Sequence, residues 1–332
     1  MQTKAQHYIP RFLLKNFCNR DGKIYVYDIK KSSSRLQVPS KIAFANHIYT
    51  LDIKGEDPES LEKALANIES ETAPIVRGLL SGRQLSSLVE DERITLAVFM
   101  ACQLPRVYKI RSYFESIKGL RQTLSMNASG ISFEVTKGPD DPRLAQINLI
   151  HYAAHNISQV LLNMTWLLIS PAEGETFLIS DNPVTVYNTF EASKMVNLYK
   201  HLQTIYPNFR EIKNIKEHFE NLLAQPGIEI CFPLSPKLAI FCVYPHVAGA
   251  ANLPVEGNLT LESSQATYVN LLQGKAAERY LYSIEKLDEP QIPSEPDEIR
   301  EIIVKGLTEA FIDYNFIMQR TIKNSGAQAT TD

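Results

Sequence analysis

The strongest constraint on the fold is a change of periodicity near residue 163. Before it, apolar residues recur at helical spacing: Leu61, Leu65, Ile68, Ile75, Val76 and Leu79 in a run from Glu59 to about Leu80. A second run, from about Leu88 to Leu124, carries Ile94, Val98, Phe99 and Cys102, and a third extends from about Leu144 to Leu162. After residue 163 the apolar residues form short runs separated by turn residues: 165–169, 176–179, 184–187, 228–232 and 238–243, interrupted by Glu173-Gly174 and Asp181-Asn182-Pro183. Helices grouped first and strands grouped afterwards predict an α+β architecture, with long helices packed on one mainly antiparallel sheet. We expect a single domain over residues 1–322.

Punctuation refines this outline. Pro74 should kink the first long helix, Pro105 should bend the second beside Gln103 and Arg106, and Gly82 should close the first. At the N-terminus, His7–Phe17 (HYIPRFLLKNF) places Pro10 where a first helical turn tolerates its missing N–H, and Phe12, Leu13, Leu14 and Phe17 then share a face. A segment so patterned is expected to dock on the core rather than hang free. Lys23–Ile29 (KIYVYDI) and Ile48–Ile53 (IYTLDI) read as strands, so the chain should open with a helix followed by a small sheet. Further along, Asn127–Pro142 reads as a loop, 194–223 as a helical insertion, Ser263–Tyr280 and Asp297–Phe311 as helices, 288–296 as a linker, and 323–332 as a disordered tail. No internal repeat is visible.

Composition removes several function classes. A net charge of -3 over 332 residues, with a pI near 6.2, offers no global attraction to nucleic acid, so only a local basic groove could track a phosphate backbone. The four cysteines, Cys18, Cys102, Cys231 and Cys242, are too dispersed for a zinc knuckle or disulfide framework and are expected to be buried thiols. No run approaches the ~18 apolar residues of a membrane span, and no secretory leader is apparent, so no membrane partner and a cytoplasmic location are expected. The commonest nucleotide-binding and acyl-transfer signatures, GxGxxG, GxxxxGK and GxSxG, are absent. His151 and His155 are four apart on a helix, but Tyr152 stands where a zinc-protease helix carries glutamate. Ser235, between two prolines' reach, reads as a turn residue, and Trp166 as core.

Six strings occur in a fixed order: HYIPRFLLKNF, VYD at Val26–Asp28, IYTLD, FMACQLPR at Phe99–Arg106, FLISDNPV, and FPLSP at Phe232–Pro236. In this order they resemble the blocks of a bacterial family catalogued as domain of unknown function 4238, over His7 to about Tyr282. The resemblance implies a cytoplasmic bacterial protein and brings no activity with it.

The polar residues in and beside these blocks are therefore weighed on their chemistry. His7, Glu69, Arg106 and Asp181 form the expected catalytic set, with Gln103, Ser180 and Asn182 as binding residues. His7 or a carboxylate would serve as general base toward water, and Arg106 would stabilise developing negative charge. A divalent metal held by Asp181, Glu69 and His7 would supply a bound hydroxide for phosphodiester cleavage. The same residues also have structural roles open to them: Asp181-Asn182-Pro183 is a good turn, Arg106 can pair with Glu69, and His7 can cap a helix. Two functions follow, a hydrolase acting on a phosphodiester or nucleotide, and a non-catalytic ligand-binding or protein-interaction module, such as a component of phage defence. His7 beside Asp181 is the condition for the first; other partners remain unassigned.

Overall fold

The computed structural model describes residues 5–50, 57–116, 118, 140–188, 228–250, 253–254 and 256–288. The expected insertion, the C-terminal helix, the tail, and all but one residue of the linker lie outside the described residues, as does most of the 127–142 loop.

The fold is α+β, as the periodicity predicts, but the described strands divide into three sheets. The five-stranded sheet has the order β10 (Gly257–Thr260), β5 (Thr165–Ser170), β9 (Leu238–Val243), β8 (Ile228–Ser235), β7 (Thr185–Asn188); only the β10–β5 pair is parallel. Period-2 alternation decides what each face covers. Ile228, Ile230, Phe232 and Leu234 of β8 join Trp166, Leu168, Ile240 and Cys242 in the main core. Their strand neighbours Cys231, Leu167, Ile169, Phe241 and Val243 face the opposite way, into a second cluster. The first face is covered by helices α2 (Ser60–Leu80), α3 (Glu90–Gln103) and α6 (Ser158–Leu162). The second is covered by helices α7 (Pro245–Ala250), through Val247 and Ala248, and α8 (Ser263–Ala276), through Ala266, Tyr268, Val269 and Leu272. A sheet covered on both sides must be apolar throughout, which is why β8 is buried at every position.

One ionisable group breaks that rule. Glu229 of β8 points toward α8, fully inaccessible to solvent, where the Tyr268 hydroxyl hydrogen-bonds its Oε2 at 2.7 Å and Oε1 finds no partner. Burial pushes its pKa up to about 8, so it is a neutral acid at physiological pH.

The N-terminal segment corrects one expectation. The first element among the described residues is a strand, β1 (Ala5–His7), paired antiparallel with β4 (Phe44–Asn46), and only then comes α1 (Arg11–Lys15), for which Pro10 is the residue just before the first turn. The docking holds: Leu13, Leu14 and Phe17 are wholly buried in the main core, and the Asn16 side chain donates to the Leu234 carbonyl at 2.9 Å. Each such buried side chain contributes about 1.5–3 kcal/mol.

Four further expectations are corrected. Ile48–Thr50 is not a strand, because His47 adopts a left-handed conformation (φ 52°) that ends β4 and turns Ile48 and Tyr49 inward as core residues; Leu51–Ile53 lie outside the described residues. The second long helix is not bent but broken, α3 ending at Gln103 and α4 (Tyr108–Ser116) starting after Pro105. Strand 176–179 shrinks to β6 (Ile179–Ser180) and belongs to a different, four-stranded antiparallel sheet, ordered β3 (Ser33–Gln37), β2 (Ile24–Asp28), β11 (Tyr280–Ser283), β6. Tyr280 accordingly starts a strand, and α8 stops at Ala276. The third helix, by contrast, runs as expected, from α5 (Pro142–Tyr152), capped by Asp141, through one wide π turn at Ala153–Ile157 into α6. Of the cysteines, Cys102, Cys231 and Cys242 are buried free thiols, and Cys18 is partly accessible. No helix among the described residues is long and apolar enough to cross a membrane.

Candidate functional site

The break between α3 and α4 is where the first group of candidates meets. Pro105 ends the helical ladder, and the freed carbonyls are collected by side chains: Gln146 of α5 donates to the Pro105 and Val107 oxygens at 2.9 and 3.0 Å, and the Tyr49 hydroxyl donates to the Arg106 oxygen at 2.7 Å. This fixes Arg106, only 2% exposed, beneath β1. Its Nη1 donates to Glu69 Oε1 at 2.8 Å, its Nη2 to the His7 carbonyl at 2.7 Å, and the guanidinium carbon lies 5.7 Å from the Tyr49 ring centre. Burial alone would depress its pKa, but Tyr49 and Glu69 outweigh that and hold it charged. Gln103, the last residue of α3, donates to the Tyr8 carbonyl at 2.7 Å. Replacing Gln146 by leucine keeps the volume and strands two carbonyls, so denaturant titration should show a loss of about 1–3 kcal/mol.

His7 belongs to this group, though its ring is poorly suited to be a base. Burial, then the charges of Arg11 and Arg106, lower its pKa to about 4, against one hydrogen bond to the Pro39 backbone. The ring is neutral at physiological pH, with Nε2 buried and unpartnered. Glu62, seven residues before Glu69 on α2, also faces Arg106; burial raises its pKa, and its Oε2 is likewise buried without a partner.

Ser180, Asp181 and Asn182 form a different assembly at the end of α8. Asp181 is 5% exposed, and its carboxylate accepts three backbone N–H groups: Glu278 on Oδ1 at 2.8 Å, and Arg279 and Tyr280 on Oδ2 at 2.9 and 3.0 Å. Burial raises its pKa while these donors pull it down. Gln273 Oε1 accepts from the Ser180 backbone N–H at 2.8 Å and lies 2.9 Å from its hydroxyl, which is also 2.8 Å from the Asn182 carbonyl. Asn182 Nδ2 donates to the Ala276 carbonyl at 2.5 Å. The turn thus clasps the C-terminal end of α8 to the start of β11.

His7, Glu69, Gln103 and Arg106 are therefore brought together, and Ser180, Asp181 and Asn182 are brought together elsewhere. Tyr8 marks the boundary: it lies close enough to Asp181 to feel its charge, while the ring of His7, the preceding residue, lies tilted at 51° against Phe44 with ring centres 5.5 Å apart and feels Arg11 and Arg106 instead. Successive residues of an extended chain point to opposite sides, so neighbouring residues can serve separate environments. Among the described residues no hydrogen bond or ion pair joins the two groups, and no three His, Cys, Asp or Glu side chains converge to hold a metal ion. Asp181, Glu69 and His7 do not fit the divalent ion expected from sequence: the Asp181 oxygens already face three backbone donors, and Glu69 is paired with Arg106.

A concave site of useful size lies instead between β4, α4 and the start of α5. It is a polar cleft of about 480 Å³, within the usual range for small ligands, lined by Asn46, His47, Arg111, Glu115, Lys118 and residues 140–143. Arg111 is 5% exposed, yet among the described residues its one hydrogen-bond acceptor is the Ile48 carbonyl, 2.6 Å from Nη2; Nε is buried and has no partner there. Nothing in the sequence marked Arg111, because its i+4 neighbour Glu115 makes it look like an ordinary surface helix pair.

Comparison with known proteins agrees with the block order. No curated protein and no solved structure matches the chain. A family described as a protein of unknown function, DUF4238, matches residues 5–286, spanning both polar assemblies and the cleft. The chain belongs to that family.

Proposed function

We propose that the protein is a non-catalytic ligand-binding module, and that His7, Glu69, Arg106 and Asp181 hold the fold together rather than turn over a substrate. The observation that carries this reading is how the two most buried of them are engaged: Arg106 holds Glu69 and the His7 carbonyl, and Asp181 holds three successive backbone N–H groups. A general base must present a free lone pair at a pKa near the working pH, and a carboxylate saturated by backbone donors does not. An imidazole held near pKa 4 is charged too reluctantly to accept a proton at neutral pH.

The test is a turnover screen on nucleotides, single- and double-stranded DNA, RNA and simple esters, with and without magnesium, manganese and zinc. The expected result is no turnover above a heat-inactivated control. Hydrolysis by the wild type that disappears in a folded Glu69→Gln variant would restore the hydrolase reading.

A further inference from the structure

The cleft beside Arg111 carries a ligand class. We propose that it binds a zwitterionic, amino-acid-like small molecule, a free amino acid or short peptide, whose carboxylate pairs with Arg111 and whose ammonium group faces Glu115. This rests on the binding-module reading above and names the site and ligand for it.

Three observations converge. Arg111 is a nearly inaccessible guanidinium with a single acceptor among the described residues, and a buried cation left so under-paired is costly unless something else completes it. Burial lowers its pKa, against a raising influence from Glu115, so an added anion would relieve a real penalty. A planar guanidinium matches a carboxylate fork better than a point charge would.

The second observation is that the wall carries both signs: among the described residues Arg111, Lys118 and Arg143 line it together with Glu115, Asp140 and Asp141. A phosphate dianion placed at Arg111 would meet those carboxylates as like charges, whereas a zwitterion meets each sign with its opposite. Asp141 is already engaged in capping α5, accepting from Arg143 N at 2.8 Å, and its side chain lies 3.9 Å from the Arg143 guanidinium. Glu115 has no such bond among the described residues and is exposed to the cleft, which makes it the acidic group best placed to receive an ammonium.

The third is size. About 480 Å³ accommodates an amino acid with a substantial side chain or a dipeptide, and is too small for a folded segment of another protein.

The experiment is thermal-shift screening of the full chain against the twenty free L-amino acids, a panel of dipeptides, inorganic phosphate and AMP, each at about 10 mM, with calorimetry on hits. At least one amino acid or dipeptide should raise the melting temperature. Its methyl ester and its N-acetyl derivative should each bind at least about tenfold more weakly, because each removes one charge. Glu115→Gln, at an exposed position, should keep the unliganded melting temperature and lose the same factor; Arg111→Gln should abolish binding, with circular dichroism confirming its fold. If no amino acid or dipeptide binds, or if phosphate and AMP bind with equal dependence on Arg111, the zwitterion proposal fails. Neither result touches the binding-module reading, which fails only if the turnover screen is positive.

Discussion

Asp181→Ala should destabilise the protein by about 3–5 kcal/mol, the largest single-site loss expected here outside the apolar core. The change leaves the partly buried backbone N–H groups of Glu278, Arg279 and Tyr280 without their protein acceptor, and an unsatisfied donor out of full contact with water costs up to about 1–3 kcal/mol. Part of the total is recovered by water entering the gap, which is why the three penalties do not simply add. The Ala276–Tyr280 corner should loosen with it, since the Asn182 side chain hooks the same corner through the Ala276 carbonyl. Asp181→Asn keeps one acceptor oxygen and should lose roughly half as much. Urea denaturation of the three proteins, with hydrogen exchange at residues 278–280, reads both effects. If Asp181→Ala proves neutral in stability, the clasp has been misassigned and the residue is again open to a functional role.

The second large effect is a dependence of stability on pH that runs against the common pattern for carboxylates. Glu229 has its pKa raised from the ordinary 4.5 to about 8 by burial, so the fold favours the protonated acid. Its contribution is fully present below pH 4.5 and is lost as pH rises through 8, because the unfolded chain ionises first. His7 acts in the opposite sense: its pKa falls from the ordinary 6.5 to about 4, so its contribution is present above pH 6.5 and lost as pH falls through 4. The two oppose each other between pH 4.5 and 6.5. Above pH 6.5 Glu229 acts without that opposition, and the buried thiols begin to matter only near their ordinary value of 9.0.

Unfolding free energy should therefore drop by about 2 kcal/mol between pH 6.5 and pH 8, at about 1.4 kcal/mol per pH unit. Glu229→Gln retains an acceptor for the Tyr268 hydroxyl and removes the titration, so its stability should be flat over the same interval. Denaturant midpoints of both proteins at the two pH values decide the matter. A slope that survives in the glutamine variant would mean that another group carries it.

The parts of this fold that were legible in sequence are those where one period dominates. Helix α2, the α5–α6 helix, and strands β8 and β9 each show a clean apolar repeat, and each lies where that repeat places it. Strands β1, β3 and β4 were not legible, because three to five residues with mixed burial, such as Ser33–Gln37, carry too little pattern to register. Sheet membership was invisible for a different reason. Ile179–Ser180 joins β11 through two residue pairs only, and a partner a hundred residues later leaves no local mark.

The candidate residues divide along the same line. That Arg106 would pair with Glu69 and that Asp181-Asn182-Pro183 would form a turn were both readable from residue types alone. What sequence could not supply was the direction of the His7 ring, which depends on the side of β1 it occupies, or the inward rotation of Arg111, which follows from α4 restarting after the Pro105 break.

The placement of β11 sets an order of events during synthesis. This strand sits between β2 and β6, pairing residues 280–283 with residues 25–28. Until the ribosome has released Ser283, the edge of the β2–β3 hairpin lacks its β11 neighbour and β6 has, among the described residues, no neighbour in its sheet. A nascent chain must therefore carry that edge through the translation of some 250 residues, which makes it the point where chaperone capture or premature pairing between neighbouring chains would act first.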